Sequence, residues 1–375
     1  MIYITAKQKE YEHQVTWLDL LDDKDFVTKP ACGSAGTITR CVEKPNPKLL
    51  EKIDVDNMIK KLSEFNARHL DLFEADRESL YRHFTVPKKT GGLRPIDAPC
   101  PKLQAALTEL KNLLSEDFGV LYHTSAYAYI PKRCITQALH KHQANESNWF
   151  LKTDFSGFFP STTLNFTMDM LAMVFPLSEI CKRPQGQAQL RKALSLAFLN
   201  GGLPQGTTIS PWLTNAICIP LDHRLYNELA KHRYVYTRYA DDIHISCIQK
   251  FDPNKMVHTI EQILKELGAP YTIKPEKTHF GSRKGSNFML GLILNADNDI
   301  KIGFEKKRIF KAMTSNFIQD WIHGETWSIE DTRHYDGLLS YYTMVEPEYF
   351  KTLINRFNTK YSVDLKQIIK AILIG

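Results

Sequence analysis

The feature that most constrains this chain is a pair of adjacent acids inside a stretch that otherwise favours β-structure. Residues 233–246 read Arg-Tyr-Val-Tyr-Thr-Arg-Tyr-Ala-Asp-Asp-Ile-His-Ile-Ser, with β-branched and aromatic residues on both sides of Asp241 and Asp242. This pattern predicts a β-hairpin with both acids at its turn. Because two adjacent carboxylates repel each other, we expect a cation there, and a divalent metal is the usual one.

A third acid, Asp154, ends a short apolar run and is followed by Phe-Ser-Gly-Phe-Phe-Pro. This predicts a second strand that ends in a turn. If the two strands are neighbours, Asp154 and Asp241 converge on two Mg²⁺ ions about 4 Å apart, which can clamp both oxygens of an in-line displacement. Acid-rich turns also occur for purely conformational reasons, so the neighbouring motifs decide the interpretation.

Three motifs occur in a fixed order along the chain. Asp154 with its Phe-Ser-Gly-Phe-Phe-Pro comes first, Leu-Pro-Gln-Gly-x-x-x-Ser-Pro follows at 203–211, and Tyr-Ala-Asp-Asp stands at 239–242. Together they resemble the palm motifs of reverse transcriptases, over about residues 81–294. The resemblance implies an α+β right-hand polymerase fold, with fingers, a palm of antiparallel sheet and helices, and a helical thumb. The domains expected are 1–80 (N-terminal helical extension), 81–150 (fingers), 151–300 (palm) and 301–375 (thumb).

The same resemblance assigns roles to the acids. Asp154, Asp241 and Asp242 are expected to hold two Mg²⁺ ions, for which Mn²⁺ can substitute, and the backbone carbonyl of Phe155 is a further metal ligand. One ion would lower the pKa of the primer 3′-hydroxyl, and the other would steady the triphosphate and the leaving pyrophosphate. The implied activity is RNA-directed DNA polymerisation.

Residues of the palm are also expected to contact the nucleotide. Lys277, with Lys274 as second candidate, is implied as general acid or neutralising charge when pyrophosphate leaves. Phe159 stands where reverse transcriptases place an aromatic under the sugar, which would exclude a ribose 2′-hydroxyl. Gln205 and Gly206 would lie under the nascent base pair, with Gly206 allowing close backbone approach.

Basic residues of the fingers are candidate nucleic-acid and nucleotide contacts. Lys88, Lys89 and Arg94 flank a Gly-Gly pair, which predicts a hairpin that can fold over a triphosphate. A solvated basic turn is the alternative for the isolated segment. Lys132 and Arg133 follow two tyrosines, a combination typical of template stacking and phosphate contact.

The thumb is predicted to begin near residue 301 with a cationic helix. Its residues Lys306, Lys307 and Arg308 would contact duplex phosphates, which carry no sequence information. Apolar residues at spacing four predict one buried face on this helix, comprising Ile309, Met313, Phe317 and Trp321. Upstream, Leu103, Leu107, Leu110 and Leu114 predict another helical stripe in the core. Ser210 and Pro211 predict a helix start, with Ser210 as N-cap.

Composition sets weaker limits. A net charge of +6 over 375 residues is compatible with nucleic-acid binding but does not establish it. The seven cysteines are scattered and form no Cys-x-x-Cys pair, so we expect reduced thiols rather than disulfides or a zinc site. The polar N-terminus and the lack of any apolar run near 18 residues predict a cytoplasmic protein without membrane contact.

Within the family, the pattern looks closest to the bacterial retron and defence-associated groups. Residues 138–142 and 289–291 keep only His142 and Gly291 of the retron Asn-Ala-x-x-His and Val-Thr-Gly motifs. These departures favour a defence-associated enzyme outside the retrons, and a retron enzyme making branched RNA-linked DNA is the alternative.

The partners expected are a structured non-coding RNA template, the DNA product and deoxynucleoside triphosphates. A second copy of the chain or an effector protein is a further candidate partner. Two other functions stay open, a non-catalytic RNA-binding scaffold and an RNA-templated RNA polymerase. Phe159 argues against the polymerase alternative.

Overall fold

The computed structural model of the chain describes residues 54–87, 91–120, 122–284 and 288–374. Most of the predicted N-terminal extension therefore lies outside the described residues, as do Lys88 and Lys89. The helices of the described ranges are α1 (Val55–Arg68), α2 (Leu70–Glu74), α3 (Pro101–Asn112), α4 (Ile135–Ala144), α5 (Phe158–Ser161), α6 (Leu164–Leu171), α7 (Leu177–Cys181), α8 (Pro184–Ser195), α9 (Ile209–Ile217), α10 (Ile219–Ala230), α11 (Pro253–Glu266), α12 (Phe304–Ile322), α13 (Ile329–Val345), α14 (Pro347–Tyr361) and α15 (Leu365–Ile374).

The strands are short and form three antiparallel groups. They are β1 (Tyr81–Pro87), β2 (Leu93–Pro99), β3 (Trp149–Ser156), β4 (Val235–Tyr239), β5 (Asp242–Cys247), β6 (Thr272–Ile273), β7 (His279–Ser282), β8 (Phe288–Met289), β9 (Leu292–Leu294) and β10 (Ile300–Ile302). Strands β1 and β2 form a hairpin, and β10, β9 and β8 form a small sheet in that order.

The main sheet has the order β4-β5-β3-β6, and β7 also pairs with β3. The two ends of β3 have different partners. Its first residues pair with β7, where Trp149 lies opposite Ser282, and its last residues pair with β6, where Phe155 lies opposite Ile273. Most side chains of β3 are buried, as expected for a strand covered on both faces. The predicted neighbourhood of the Asp154 strand and the hairpin strand β5 is confirmed.

One compact unit contains residues 54–133, 153–243 and 252–278 of the described chain. Helix α1 packs against α8, and its residues Met58, Leu62 and Phe65 are buried. The Asn66 side-chain amide donates to the carbonyl of Gln189 at 3.0 Å. The predicted leucine stripe is confirmed, because all four of its leucines are fully buried. This unit carries the acids predicted for the active site.

A second compact unit is assembled from three separate stretches of chain, residues 134–152, 244–251 and 279–374. Its core draws apolar side chains from all parts of the last stretch and from the first, and includes Leu139, Phe150, Leu292, Phe310, Phe317, Tyr335, Phe350 and Ile368. The ring of Tyr335 is central, because it stacks on Phe310 at 5.4 Å and on Phe317 at 4.7 Å between ring centroids.

The buried face of α12 differs from the predicted one. Ile309 is 54% exposed, whereas Phe310, Thr314, Phe317 and Ile318 are buried. Met313 and Trp321 pack at the edge of the core. The prediction of Ile309 as a core residue is therefore wrong, and the face is rotated toward the neighbouring Phe310.

Two further sequence predictions can be compared with the structure. Helix α9 is present where it was predicted, but it begins at Ile209 with Thr208 as N-cap, so the prediction of Ser210 as N-cap is wrong. The Ser210 amide instead donates to the Thr207 hydroxyl at 3.2 Å. The cysteines within the described ranges are free thiols, and they are Cys100, Cys134, Cys181, Cys218 and Cys247. Among the described helices, none combines the length and apolarity needed to cross a membrane.

Candidate active site

The acid pair of the candidate site is brought together by two neighbouring strands. Asp154 lies near the end of β3, and Asp241 lies in the two-residue turn between β4 and β5. The Phe155 amide donates to the Asp241 carbonyl at 3.2 Å, which places the two acids at adjacent backbone positions. Asp154 is only 1% exposed, and Asp241 is half-buried. A strand end and a tight turn thus hold two carboxylates side by side.

The carboxyl groups of Asp154 and Asp241 concentrate negative charge at this point. Burial and the neighbouring Asp154 carboxylate raise the pKa of Asp241 to about 7. The Asp154 Oδ1 atom is buried and has no hydrogen-bond partner, while its Oδ2 is ion-paired to Lys277 and lies 4.0 Å from the Lys274 ammonium. The hydrogen bond to Asp154 raises the pKa of Lys277. An unpaired buried oxygen beside a second carboxylate is a setting that suits a divalent cation.

Asp242, the third predicted acid, is the first residue of β5 and is half-buried. Across the ranges that the structure describes, no three His, Cys, Asp or Glu side chains cluster closely enough to hold one metal ion. The candidate cation ligands that the structure brings together are the Asp154 and Asp241 carboxylates, with Asp242 adjacent in the chain.

Aromatic side chains pack directly behind Asp154. The Phe155 ring is buried and stacks on Tyr271 at 5.3 Å and on Phe158 at 5.8 Å between centroids. The Tyr271 hydroxyl forms a hydrogen bond with the Thr162 hydroxyl at 2.8 Å. These contacts fix the end of β3, so the carboxylate of Asp154 is carried on a rigid support.

Phe159, the predicted sugar-contacting aromatic, lies on α5 and is half-buried. Its ring meets Phe158 edge to face at 5.6 Å, and its carbonyl accepts hydrogen bonds from the amides of Thr162 at 3.1 Å and Leu203 at 3.0 Å. The bond from Leu203 links Phe159 to the loop that carries Gln205. The two predicted nucleotide-contacting segments are thus joined.

The loop at 200–206 is held on two sides by close backbone contacts. A Cβ atom on Gly202 would lie 2.1 Å from the Pro160 carbonyl oxygen, and one on Gly206 (φ +134°) would lie 2.8 Å from the Asp97 carbonyl oxygen. The Asp97 amide also donates to the carbonyl of Gln205 at 2.7 Å. Gly206 was expected to let the backbone come close to a base pair. In the structure its backbone lies close to β2 instead, and the contact with a base pair stays a prediction.

The predicted phosphate-binding residues of the fingers lie only partly within the described residues. Arg94 is exposed on β2, opposite Val86 of β1, and Gly91 and Gly92 have φ values of +87° and +80°. Lys88 and Lys89 fall outside the described residues. Only Arg94 of this predicted phosphate-binding group therefore has a described position.

Arg133 has a structural environment that the sequence did not indicate. Its guanidinium donates to the carbonyls of His123, Thr124 and Ala126 at 3.1, 3.2 and 2.6 Å, and it lies over the Tyr122 and Tyr127 rings. These three hydrogen bonds tie the loop at residues 123–126 to the Arg133 side chain. Its neighbour Lys132 is exposed, with a φ of +63°.

The three cations of the thumb helix also differ from one another. Lys307 is mostly buried, donates to Glu346 at 2.7 Å and lies over the Tyr349 ring. Lys306 and Arg308 are exposed; Lys306 donates to the Gly291 carbonyl at 2.7 Å, and Arg308 pairs with a glutamate one turn away. Lys306 and Arg308 are thus the members of this group that face solvent.

The sequence reasoning missed a buried group behind the acid hairpin. Arg238 and Asp222 are both fully buried and form an ion pair at 2.8 Å, and the Tyr236 hydroxyl donates to the same carboxylate at 2.7 Å. One signal was present: Tyr236, Arg238 and Ala240 alternate along the chain and therefore share a face of the strand.

These features define a class of protein, a polymerase palm that pairs an acid at the end of one strand with an acid in a neighbouring hairpin turn. The sequence profile described as "Reverse transcriptase (RNA-dependent DNA polymerase)" matches residues 86–294, more than half of the chain. The chain therefore belongs to the reverse transcriptase family. Its fold is the right-hand polymerase fold, with antiparallel palm sheet, palm helices and helical thumb, as predicted.

The chain is also similar to named retron enzymes. It is 28% identical to the retron Mx162 reverse transcriptase of Myxococcus xanthus over 60% of this chain and 49% of that protein. It is 28% identical to the retron Mx65 reverse transcriptase of the same organism over 75% of this chain and 65% of that one. It is 25% identical to the retron Ec73 reverse transcriptase of Escherichia coli over 76% of this chain and 89% of that protein. The chain thus spans about half to two thirds of the first two relatives.

Among solved structures, the chain is similar to apo telomerase from Candida tropicalis. The match has 15% identity and a TM-score of 0.44, and it covers 64% of this chain and 51% of that one.

Proposed function

We propose that this protein is an RNA-directed DNA polymerase that adds deoxynucleotides to a primer under the direction of an RNA template. The observation that carries the proposal is the pairing of Asp154, on β3, with Asp241, in the turn that leads into the neighbouring strand β5, with one buried Asp154 oxygen left without a hydrogen-bond partner. Paired carboxylates held in this way fit a polymerase that works with divalent cations. Membership of the reverse transcriptase family gives the template and product classes.

Asp154, Asp241 and Asp242 would hold two Mg²⁺ ions, with Mn²⁺ as a substitute and the Phe155 carbonyl as an added ligand. When bound, these ions would lower the pKa of the primer hydroxyl and neutralise charge on the triphosphate and the leaving pyrophosphate. The raised pKa of Asp241 supports this, since two crowded carboxylates gain from a cation that neutralises both.

Other residues of the chain would orient and select the nucleotide. Lys277 already lies against Asp154 and is half exposed, so its ammonium can donate toward a departing pyrophosphate. Arg94, exposed on the β1–β2 hairpin, can bind triphosphate oxygens through two parallel hydrogen bonds. Phe159 would fill the space of a ribose 2′-hydroxyl, so that deoxynucleotides bind preferentially.

The direct test is primer extension on an RNA template with Mg²⁺, comparing the wild type with Asp241→Ala/Asp242→Ala. We expect extension by the wild type and a loss of at least about 1000-fold in the double variant, since electrostatic stabilisation supplies most of such catalysis. Asp297→Ala/Asp299→Ala, which removes two exposed acids, is the matched control. A double variant at Asp241 and Asp242 that extends primers at the wild-type rate contradicts the proposal.

The sugar selection is tested separately with Phe159→Ala. If the ring blocks the 2′-hydroxyl, the variant should incorporate ribonucleotides with a kcat/KM at least about 10-fold higher relative to deoxynucleotides. An unchanged ratio excludes the gate but leaves the polymerase activity intact. A wild type that prefers ribonucleotides points instead to an RNA polymerase.

We further propose that the template is a structured non-coding RNA and that the enzyme works in the cytoplasm in defence against phage. The similarity to retron reverse transcriptases favours a second candidate, synthesis of branched RNA-linked DNA. The test is to purify the protein from cells, treat the bound nucleic acid with RNase or DNase, and sequence both fractions. One structured RNA with complementary DNA supports a dedicated template, and a branched junction selects the retron candidate. Co-purification of a second copy or an effector protein would identify those partners.

A further inference from the structure

The buried ion pair behind the acid hairpin is built more elaborately than core packing requires. Arg238 on β4 and Asp222 on α10 are both 0% exposed. The guanidinium donates to both carboxylate oxygens, Nε to Oδ1 and Nη2 to Oδ2, each at 2.8 Å, and the Tyr236 hydroxyl donates to Oδ1 at 2.7 Å. This two-point geometry fixes the guanidinium plane. Buried ion pairs contribute little to stability compared with apolar residues of the same volume, so the pair invites another explanation.

A third contact of Arg238 reaches the turn itself. Its Nη1 donates to the carbonyl of Ala240 at 3.0 Å. Ala240 is the residue before Asp241 and has a positive φ of +57°, whereas the φ of Asp241 is not positive. Two-residue hairpins with a positive φ at the first turn position usually place glycine there, because a Cβ atom disfavours that conformation. The contact from Arg238 therefore holds a turn that alanine alone would resist.

The backbone of Arg238 is fixed as well, so the guanidinium has a rigid base. Its amide donates to the Ser125 carbonyl at 2.7 Å, and its carbonyl accepts from the Tyr127 amide at 2.9 Å. The side chain is thus clamped between Asp222 and the Ala240 carbonyl. A small displacement of the guanidinium would be transmitted to the residue next to Asp241.

We propose that Arg238, oriented by Asp222, is a positioning residue that fixes the Ala240 turn and thereby sets where Asp241 stands relative to Asp154. The proposal rests on the proposed polymerase function. In this role the fully buried Arg238 side chain controls the geometry of the acid pair.

Two variants separate positioning from folding. The apolar replacement Arg238→Met/Asp222→Leu/Tyr236→Phe removes the whole polar group without leaving a buried charge unpaired. Arg238→Lys keeps a positive charge beside Asp222, but a single ammonium cannot reproduce the planar three-way contact. The matched control is Tyr236→Phe, which removes one hydrogen bond to Asp222 and does not touch the turn.

We expect kcat for primer extension to fall about 10- to 100-fold in both Arg238 variants, with KM for the deoxynucleotide changed less than about 3-fold. Tyr236→Phe should keep at least about half of the wild-type kcat. Ala240→Gly, added to Arg238→Lys, should restore activity at least about 3-fold, because glycine adopts the positive φ without support. A merely structural role of Arg238 would not be rescued at Ala240.

Amide hydrogen exchange gives a readout that does not depend on activity. The Phe155 amide, which donates to the Asp241 carbonyl, should exchange at least about 10-fold faster in Arg238→Lys. The Lys274 amide, which donates to the Asp154 carbonyl on the other side of β3, is the internal reference and should change less than about 2-fold.

The outcomes distinguish the two proposals. If the wild type extends no primer, the polymerase function fails, while the exchange of the Phe155 amide still tests the positioning role. If Arg238→Lys keeps wild-type kcat and wild-type exchange at Phe155, the positioning role is overturned and the polymerase function stands. If the apolar replacement does not fold, Arg238→Lys and its Ala240→Gly rescue decide alone. The inference is then overturned if Ala240→Gly restores no activity and the Lys274 amide loses as much exchange protection as the Phe155 amide.

Discussion

Removing the charge of Asp241 should make the folded protein more stable, although it removes a proposed catalytic group. Burial and the Asp154 carboxylate raise the pKa of Asp241 from the ordinary value of 3.8 to about 7. Since one pH unit corresponds to about 1.4 kcal/mol, ionising this carboxyl costs the folded state up to about 4 kcal/mol relative to the unfolded chain. Solvent at the half-buried carboxylate reduces the figure, so we expect Asp241→Asn to gain about 2 kcal/mol.

The sign and the pH range follow from the two pKa values. Below pH of about 4 the carboxyl is protonated in both the folded and the unfolded chain, and the variant has no advantage. Between pH of about 4 and 7 the unfolded chain releases the proton while the folded chain keeps it, so the wild type progressively loses stability. Above pH of about 7 the difference is constant, and the full gain of Asp241→Asn should appear.

The assay is scanning calorimetry in a chelating buffer at pH 4, 6 and 8. At pH 8 a gain of about 2 kcal/mol should raise the midpoint of thermal unfolding by roughly 2–3 °C for a chain of 375 residues. Asp242→Asn, one residue further along, controls for removing any negative charge from this turn. The reasoning is refuted if Asp241→Asn is no more stable than the wild type at pH 8, or if its gain is the same at pH 4.

Four further substitutions test the packing described above, and each is measured as a change in the free energy of unfolding in denaturant. Gly202→Ala should lose about 2–3 kcal/mol, because its Cβ would overlap the Pro160 carbonyl; a neutral effect contradicts the close approach. Phe317→Ala should lose about 3–5 kcal/mol and Ile309→Ala under about 0.5, and the reverse ranking would restore the predicted helix face. Arg133→Met should lose about 2–3 kcal/mol through its three carbonyl contacts, and a loss of RNA binding without a loss of stability would contradict this structural role.

Local signals explain which parts of the fold were predictable. The hairpin around Asp241 combines β-branched residues with a polar turn, and the four leucines between residues 103 and 114 repeat at helical spacing, so both features could be derived from a few neighbouring residues. The family and its fold followed from the order of three motifs. The adjacency of Asp154 and Asp241 needed that order, because nothing local to either residue shows that β3 and β5 are neighbours.

The errors occur where distant partners decide between equivalent local choices. In α12 a series of apolar residues at helical spacing can start from either Ile309 or Phe310. Phe310 is the buried one because its ring packs against Tyr335 and Phe350 of later helices. For Arg133 the sequence likewise reports the guanidinium but not the loop carbonyls that it binds, and its predicted contact with nucleic acid stays a prediction. The roles predicted for the site residues, and the bounds of the four predicted domains, stay predictions.

The division of the second unit into three chain segments has a consequence for protein synthesis. Leu139 and Phe150, in its first segment, belong to a core whose other members come mainly from residues after 290. At the usual rate of about 5–20 residues per second, a ribosome needs roughly 6–25 s to travel from Lys152 to His279. During that time these side chains lack their core partners, so the growing chain is open to chaperones and to aggregation. The C-terminal helices consequently cannot be removed or exchanged as a module without exposing residues encoded far upstream.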